Sequence, residues 1–159
     1  MVISHWSLVI GVLSVSYLFN YTVMSNRLED LEVYQLAESF SDKIWFAVLE
    51  WEYFPKDTLG KQLVRSADSI GGNIAEGFGH YHYKENKNFC YFSRGSLIET
   101  KGWIKKAKTR SLISESQYAD YFNKLSTIHL KLNAYLKYIG AQQDKGPNQN
   151  TIQPPTNDQ

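Results

Sequence analysis

A single cysteine, Cys90, in a chain of 159 residues excludes an internal disulfide and a cysteine-rich metal site. Set among aromatic residues, it reads as a small core residue, because a free cysteine packs as a hydrophobe. Proline stands only at positions 55, 147, 154 and 155, so 56–146 is free of the residue that breaks helices. The histidines, His5, His80, His82 and His129, share no ligand spacing on one helix, and no Glu-x-x-His pair occurs, which argues against a di-iron bundle. A Gly-x-x-x-x-Gly-Lys phosphate loop and a Gly-x-Ser-x-Gly nucleophile turn are missing as well. The formal net charge is only +1, so attraction to nucleic acid or membrane has to come from uneven placement of charge. These absences point to a binding protein, with no catalytic residues, metal, cofactor or small-molecule substrate.

A hydrophobic share of 43% and an aromatic share of 14% suit one domain with a real core. Val33, Ala37, Phe40, Ile44, Val48 and Trp51 recur at three- and four-residue steps and predict a first helix over 27–52. Tyr53-Phe54-Pro55 is expected to stop it and Asp57 to cap the next. Leu63, Ala67, Ile70, Ile74 and Phe78 form the second stripe, closed by Gly77 and Gly79. Over 84–109 the stripe is Cys90, Ser93, Leu97, Thr100 and Ile104, small enough in its middle for a neighbouring helix to come close. Ser114-Glu115-Ser116-Gln117 has the form of a capping box. Tyr118, Phe122, Leu125, Ile128, Leu132, Tyr135 and Ile139 follow on a fourth helix expected to end at Gly140. Four amphipathic helices on short turns predict an all-α, antiparallel up-down-up-down four-helix bundle over 27–140. The polar stretch 141–159 is expected to be disordered.

Residues 1–26 carry no charged side chain, and Trp6 to Met24 is mostly apolar, though diluted by Ser7, Ser14, Ser16, Asn20 and Thr22. The stretch lacks the basic start of a secretory signal and is near the minimum length of a membrane span, roughly 17–25 residues. Three readings fit it: a membrane tether through 6–24, an ordered hydrophobic extension, or an upstream stretch that is not natively translated, with Met24 as the start.

The most informative stretch is Arg65-Ser66-Ala67-Asp68-Ser69-Ile70-Gly71-Gly72-Asn73-Ile74-Ala75-Glu76-Gly77-Phe78-Gly79. Paired glycines inside a helix cost roughly 1 kcal/mol each against alanine, which calls for a packing reason. On a helical wheel Ser66, Ile70, Ile74 and Gly77 face the core, while Arg65, Ser69, Asn73 and Glu76 line one flank. Arg65 and Glu76 stand about 16 Å apart along the axis, too far to pair, so each needs a partner on another helix, another subunit or a ligand.

Ser69-Ile70 with Asn73-Ile74-Ala75-Glu76-Gly77, then Phe89-Cys90-Tyr91-Phe92-Ser93-Arg94-Gly95-Ser96-Leu97 and Glu99-Thr100-Lys101, resembles the 23S rRNA intervening-sequence protein family, also known as the four-helix bundle protein family. The likeness opens at Leu28-Glu29-Asp30-Leu31-Glu32-Val33-Tyr34 and runs to about Ile139. It implies a bacterial, cytoplasmic, non-enzymatic bundle that assembles as a ring-like homopentamer. It also implies, from relatives that serve diversity-generating retroelements, partners that are nucleic acid (RNA or DNA) and a reverse transcriptase. The family-motif positions in this chain are Arg65, Asn73, Glu76, Gly77, Arg94, Gly95 and Ser96. Gly71 departs from the proline or serine common there, and His80 from the arginine. A hydrophobic N-terminus is not a family feature, which favours Met24 as the start.

Charge is polarised. Over 27–52 seven carboxylates stand against Arg27 and Lys43, a net −5, whereas 80–110 carries eight cations against Glu85 and Glu99, a net +6. Lys87, Arg94, Lys101, Lys105 and Lys108 fall in a narrow arc of the third helix, a ridge of roughly 31 Å able to follow a phosphate backbone. Tyr81, His82 and Tyr83 just before it are candidates to stack on bases. The competing reading has these lysines snorkel to water and face the acidic first helix. Tyr91, Gly95, Ile98 and Gly102 lie opposite the core stripe, and Phe89, Phe92 and Trp103 on another side. A helix apolar on several faces is buried on several faces, which marks Tyr91, Ile98, Gly102 and Trp103 as a candidate oligomer interface. The functional expectation is a homo-oligomeric module that engages nucleic acid or a reverse transcriptase. The alternative is a structural or membrane-tethered protein scaffold.

Overall fold

The computed structural model describes residues 27–80 and 82–143. The hydrophobic segment 1–26 with its tether reading, the stacking candidate Tyr81, and the tail from 144 lie outside the described residues.

Four long helices make the bundle: α1 Glu32–Leu49, α2 Lys61–Gly79, α3 Tyr83–Thr109 and α4 Glu115–Gln143. Each packs on its neighbours in order and α4 closes against α1, so α1 and α3 stand diagonally across the core. Phe40 and Ile44 of α1, Leu63, Ile70 and Ile74 of α2, Leu97 and Ile104 of α3, and Leu125, Ile128, Leu132 and Ile139 of α4 are fully buried. Burying one such side chain contributes about 1.5–3 kcal/mol. The fold class is the one the hydrophobic spacing predicts.

The turns depart from expectation at three places. A 3-10 turn, Leu28–Asp30, precedes α1, and α1 ends at Leu49 rather than near Glu52. Pro55 then does not separate two helices. It sits in the helical turn Tyr53–Pro55 that begins the next one, where its missing N–H is an orphan donor anyway. A wide π-turn, Lys56–Gly60, feeds directly into α2. Asp57 is therefore inside the helical run and is no N-cap; it pairs with Lys61 one turn on. At the far end α4 continues through Gly140 to Gln143, so the first three residues of the expected tail are helical.

The α3–α4 corner follows its sequence signal closely. The Gln117 amide donates to Ser114 Oγ at 3.1 Å and the Ser114 amide to Gln117 Oε1 at 2.8 Å, a reciprocal capping box. No glycine closes α3. Ser111 takes the left-handed conformation, with φ 58°, and the Leu112 amide returns to the Ala107 carbonyl at 2.9 Å.

The α2–α3 seam is the tightest contact in the bundle. Ser66 and Thr100, both buried, join their hydroxyls at 3.0 Å. Ser93 Oγ donates to the Ile70 carbonyl at 2.8 Å. Asn73 Nδ2 reaches Ser96 Oγ at 3.5 Å and the Ser69 carbonyl at 2.6 Å. A Cβ on Gly77 would stand 2.9 Å from Phe89 Cβ and 3.0 Å from the Asn86 carbonyl oxygen. Below it the Asn86 amide donates to the Tyr135 hydroxyl at 3.0 Å, and Cys90 Sγ lies 3.5 Å from Asn86 Oδ1. Burial pushes the Cys90 thiol up to about 12, so it stays a neutral packing residue. Of the paired glycines, Gly71 lies under the Glu38 carboxylate, whereas Gly72 has nothing within 4 Å of a Cβ placed on it, and nothing in the structure explains Gly72.

The two glycines predict opposite outcomes. Gly72→Ala should raise stability by about 1 kcal/mol through helix propensity alone. Gly77→Ala meets backbone and should cost about 1–3 kcal/mol through overpacking. Urea melts followed by far-UV circular dichroism distinguish them, and a gain at Gly77 would contradict the close seam.

Candidate nucleic-acid interface

The inward stripe of α3, Asn86, Cys90, Ser93, Leu97, Thr100, Ile104 and Ala107, is buried throughout. Its rotation about the axis is thereby fixed, and the cationic ridge is turned toward α4. Lys101 Nζ and Lys105 Nζ each lie 5.9 Å from the centre of the Phe122 ring on α4. The Arg94 guanidinium lies 4.9 Å over Tyr91, and Lys87 Nζ reaches to 4.0 Å from the place a Cβ on Gly140 would occupy. Such cation–ring contacts contribute about 0.5–1 kcal/mol at exposed sites. Lys108 behaves differently: it pairs with Glu115 Oε2 at 2.6 Å across the α3–α4 corner.

Among the described residues no carboxylate pairs with the other four. α4 has only two, Glu115 and Asp120. The first is held by Lys108, and Asp120 Oδ2 takes Lys43 of α1 at 2.7 Å, which together with Lys124 holds its carboxyl below the usual range. Glu32 of α1 pairs with Lys131 of α4 at 2.6 Å on that same side. Glu32 of α1 is thus engaged at the α1–α4 seam, and Glu38 and Asp42 lie beside Asp68 of α2, on the far side of the bundle from the ridge. The reading in which the lysines of α3 face the acidic first helix is corrected on this point: they face α4. Among the described residues Lys87, Arg94, Lys101 and Lys105 make no ion pair. They span 18 residues, about 27 Å along the helix.

The α4 bank of this trough was not anticipated. Tyr118 and Phe122 were assigned to the core stripe, but the buried position in that turn is Tyr121, packed edge-on to Phe40 with ring centres 6.2 Å apart. Tyr118 and Phe122 are half-buried and lie against each other at 4.5 Å. His129, one heptad beyond Phe122, is half-buried on the same side. Burial, then the charges of Lys101 and Arg94, hold its imidazole below the ordinary value. The signal was present as the seven-residue spacing of Phe122 and His129, masked by a one-residue ambiguity in phase at the start of α4.

At the α2–α3 corner His80 stacks on Phe89, ring centres 4.9 Å apart, with Nδ1 3.3 Å from Glu85 Oε2. His82 and Tyr83 are exposed beside it. Of the family-motif residues, Asn73, Gly77 and Ser96 belong to the α2–α3 seam. Arg65 and Glu76 are exposed and make no ion pair among the described residues.

Two surfaces are apolar and open. On α3, Tyr91, Phe92 and Ile98 are exposed, Ile98 at 60%, and Gly95 and Gly102 have nothing within 4 Å. Trp103 is half-buried, its Nε1 donating to Glu99 Oε1 at 3.1 Å. The second surface escaped the sequence analysis. Trp45, Phe46, Leu49, Tyr53 and Phe54 are exposed around the α1–α2 turn. Of these, Trp45, Leu49 and Tyr53 line a groove of about 610 Å³ together with Val48, Val64 and Arg65, and its charged lining is mixed, with Lys56, Lys61 and Arg65 beside Asp57 and Asp68. On the facing sides of α1 and α2, burial, then Asp42 and Asp68, raise Glu38, while burial and Asp42 raise Asp68.

Among the described residues no group of His, Cys, Asp or Glu is arranged to hold a metal ion, and no helix is long and apolar enough to cross a membrane. The sequence matches the profile of the family described as 23S rRNA-intervening sequence protein over residues 29–134. A solved structure from Bacteroides thetaiotaomicron, a protein of unknown function from the S23 ribosomal protein family, is 25% identical. The match covers 66% of this chain and 98% of that one, with a TM-score of 0.60. No curated protein matches the chain.

The raised carboxyls of Glu38 and Asp68 make a pH prediction. A carboxyl raised in the folded state binds its proton more tightly there than in the unfolded chain, so folding gains stability as pH falls from above the raised value toward the ordinary one. Urea midpoints at low salt should therefore rise as pH falls from neutral into the carboxylate range. Glu38→Gln should raise the neutral-pH midpoint and flatten that rise; a Glu38→Gln midpoint below wild type at neutral pH contradicts the repulsion.

Proposed function

As the chain belongs to the 23S rRNA-intervening sequence protein family, we propose that it is a non-enzymatic, self-associating bundle that binds RNA along the trough between α3 and α4. The observation that carries this reading is the row of Lys87, Arg94, Lys101 and Lys105, unpaired among the described residues and facing an α4 bank of Tyr118, Phe122 and His129. Four cations along about 27 Å match a run of phosphates, and each phosphate neutralised releases counterions. Aromatic rings beside the cations supply faces for unstacked bases, a contact that contributes about 1–3 kcal/mol per base.

Self-association follows from the second pair of surfaces. The exposed strip on α3 and the groove at the α1–α2 turn are formed by different helices and differ in shape. Two different complementary patches on one chain favour head-to-tail contact, which closes into a ring where the rotation permits. A ring multiplies the trough, so several modest sites act together on one polyanion. The homopentamer and the reverse-transcriptase partner implied by the family resemblance are compatible with this arrangement.

Reversing Lys87, Arg94, Lys101 and Lys105 together to glutamate should abolish RNA retention and leave far-UV circular dichroism unchanged. Replacing them singly by glutamine should lower the slope of log affinity against log salt by about 0.7 each for a single strand. Retention unchanged by the fourfold reversal removes the reading.

For assembly, Trp45→Glu in the groove and Ile98→Glu on the strip should each reduce the native mass. Mixing the two variants should give a one-to-one dimer that grows no further, because one intact groove meets one intact strip. Separate monomers after mixing contradict head-to-tail contact.

A further inference from the structure

His129 is the histidine of the α4 bank, half-buried on the side of α4 that faces the ridge. In this antiparallel pair, Phe122 lies opposite Lys101 and Lys105, and Gly140 opposite Lys87. One heptad from Phe122, His129 therefore comes opposite the stretch between Arg94 and Lys101, the two cations whose charge acts on it. Of the other charges on α4, Lys131 pairs with Glu32, Asp120 with Lys43 and Lys124, and Glu115 with Lys108 at the α3–α4 corner, while Lys137 is exposed two turns further on. Glu99 is held at the Trp103 indole, and α2, with Arg65, Asp68 and Glu76, lies diagonally across the bundle from α4. Thus, among the described residues, no carboxylate competes with an incoming anion at this point.

We infer that His129 is a proton-linked cation of the trough: a phosphate seated between Arg94 and Lys101 is joined by the imidazolium, so RNA binding takes up one proton there. The inference rests on the reading of the trough as an RNA site and deepens it. In the free protein, burial together with Lys101 and Arg94 keeps the ring neutral at neutral pH. A phosphate cancels the repulsion and adds an attractive charge, so the bound ring holds its proton to higher pH than the free one. Between those two values the complex binds more protons than the free components, and affinity rises as pH falls, by at most tenfold per pH unit for one proton. His129 then makes RNA release pH-sensitive without contributing to affinity under alkaline conditions.

The test uses the full chain and an oligouridine, whose bases do not protonate in the relevant range. Affinity is measured by fluorescence anisotropy at constant ionic strength between about pH 8 and about pH 6, either side of the ordinary imidazole value of about 6.5. Wild type should tighten several-fold over that interval. His129→Asn should match wild type at the alkaline end, keep its salt slope, and lose most of the tightening. In parallel, proton NMR of the His129 ring in the wild type should show its titration moving upward by about one pH unit on adding oligouridine. An asparagine variant with the wild-type pH dependence, or a ring titration that oligouridine leaves in place, overturns the role of His129 while the trough reading stands. Oligouridine binding that survives reversal of Lys87, Arg94, Lys101 and Lys105 overturns both.

Discussion

The close approach of α2 to α3 is the constraint from which the other features follow. Ser66, Ser93, Thr100 and Gly77 leave no room for bulk between these helices, and their hydroxyls are satisfied across the seam or on its own carbonyls. A buried hydroxyl without a partner costs on the order of 1–3 kcal/mol, so this arrangement tolerates little rotation of α3 about its axis. With that rotation set, residues 87, 94, 101 and 105 can only point toward α4, and 91, 98 and 102 only toward solvent. The family motif is thus mainly a packing device. Its influence on function is indirect: it aims a row of cations and an apolar strip in chosen directions.

Topology determines what those cations meet. In an up-and-down bundle the first and third helices are diagonal, and here they carry the opposing charge. Had the acidic helix been adjacent to the basic one, the ridge would have been spent on internal pairs. Instead Glu32 of α1 meets Lys131 of α4 and Lys43 of α1 meets Asp120 of α4 along the α1–α4 seam, while Glu38 and Asp42 repel each other and Asp68 beside α2. The bundle keeps a dipolar surface while remaining nearly neutral overall, which gives local attraction for polyanions without a general stickiness.

Much of the fold was legible because long helices repeat their spacing many times. The stripes through Phe40, Ile70, Leu97 and Ile128 need no further information to be assigned, and the Ser114–Gln117 box is a local signal whose geometry is confined to four residues. Where a residue's role depends on its neighbour in space, the sequence was ambiguous. Pro55 reads equally as a stop or as a first-turn residue, and only the path of the chain into the π-turn decides. Phe122 and Tyr121 differ by 100° on the wheel, and aromatic size fits either position. The trough shows the same division: the arc of α3 cations was visible from spacing, but which helix faces them was not. The groove at Trp45, Leu49 and Tyr53 was invisible because it joins the back of α1 to a turn expected to be a simple break.

The claim that RNA lies in the α3–α4 trough is most directly tested by ultraviolet crosslinking of the assembled protein to oligouridine, with adducts located by peptide mass spectrometry. The account predicts adducts on peptides carrying Tyr118, Phe122 and His129. Adducts concentrated instead on the peptides of α1 or around Tyr53 and Phe54 would contradict it.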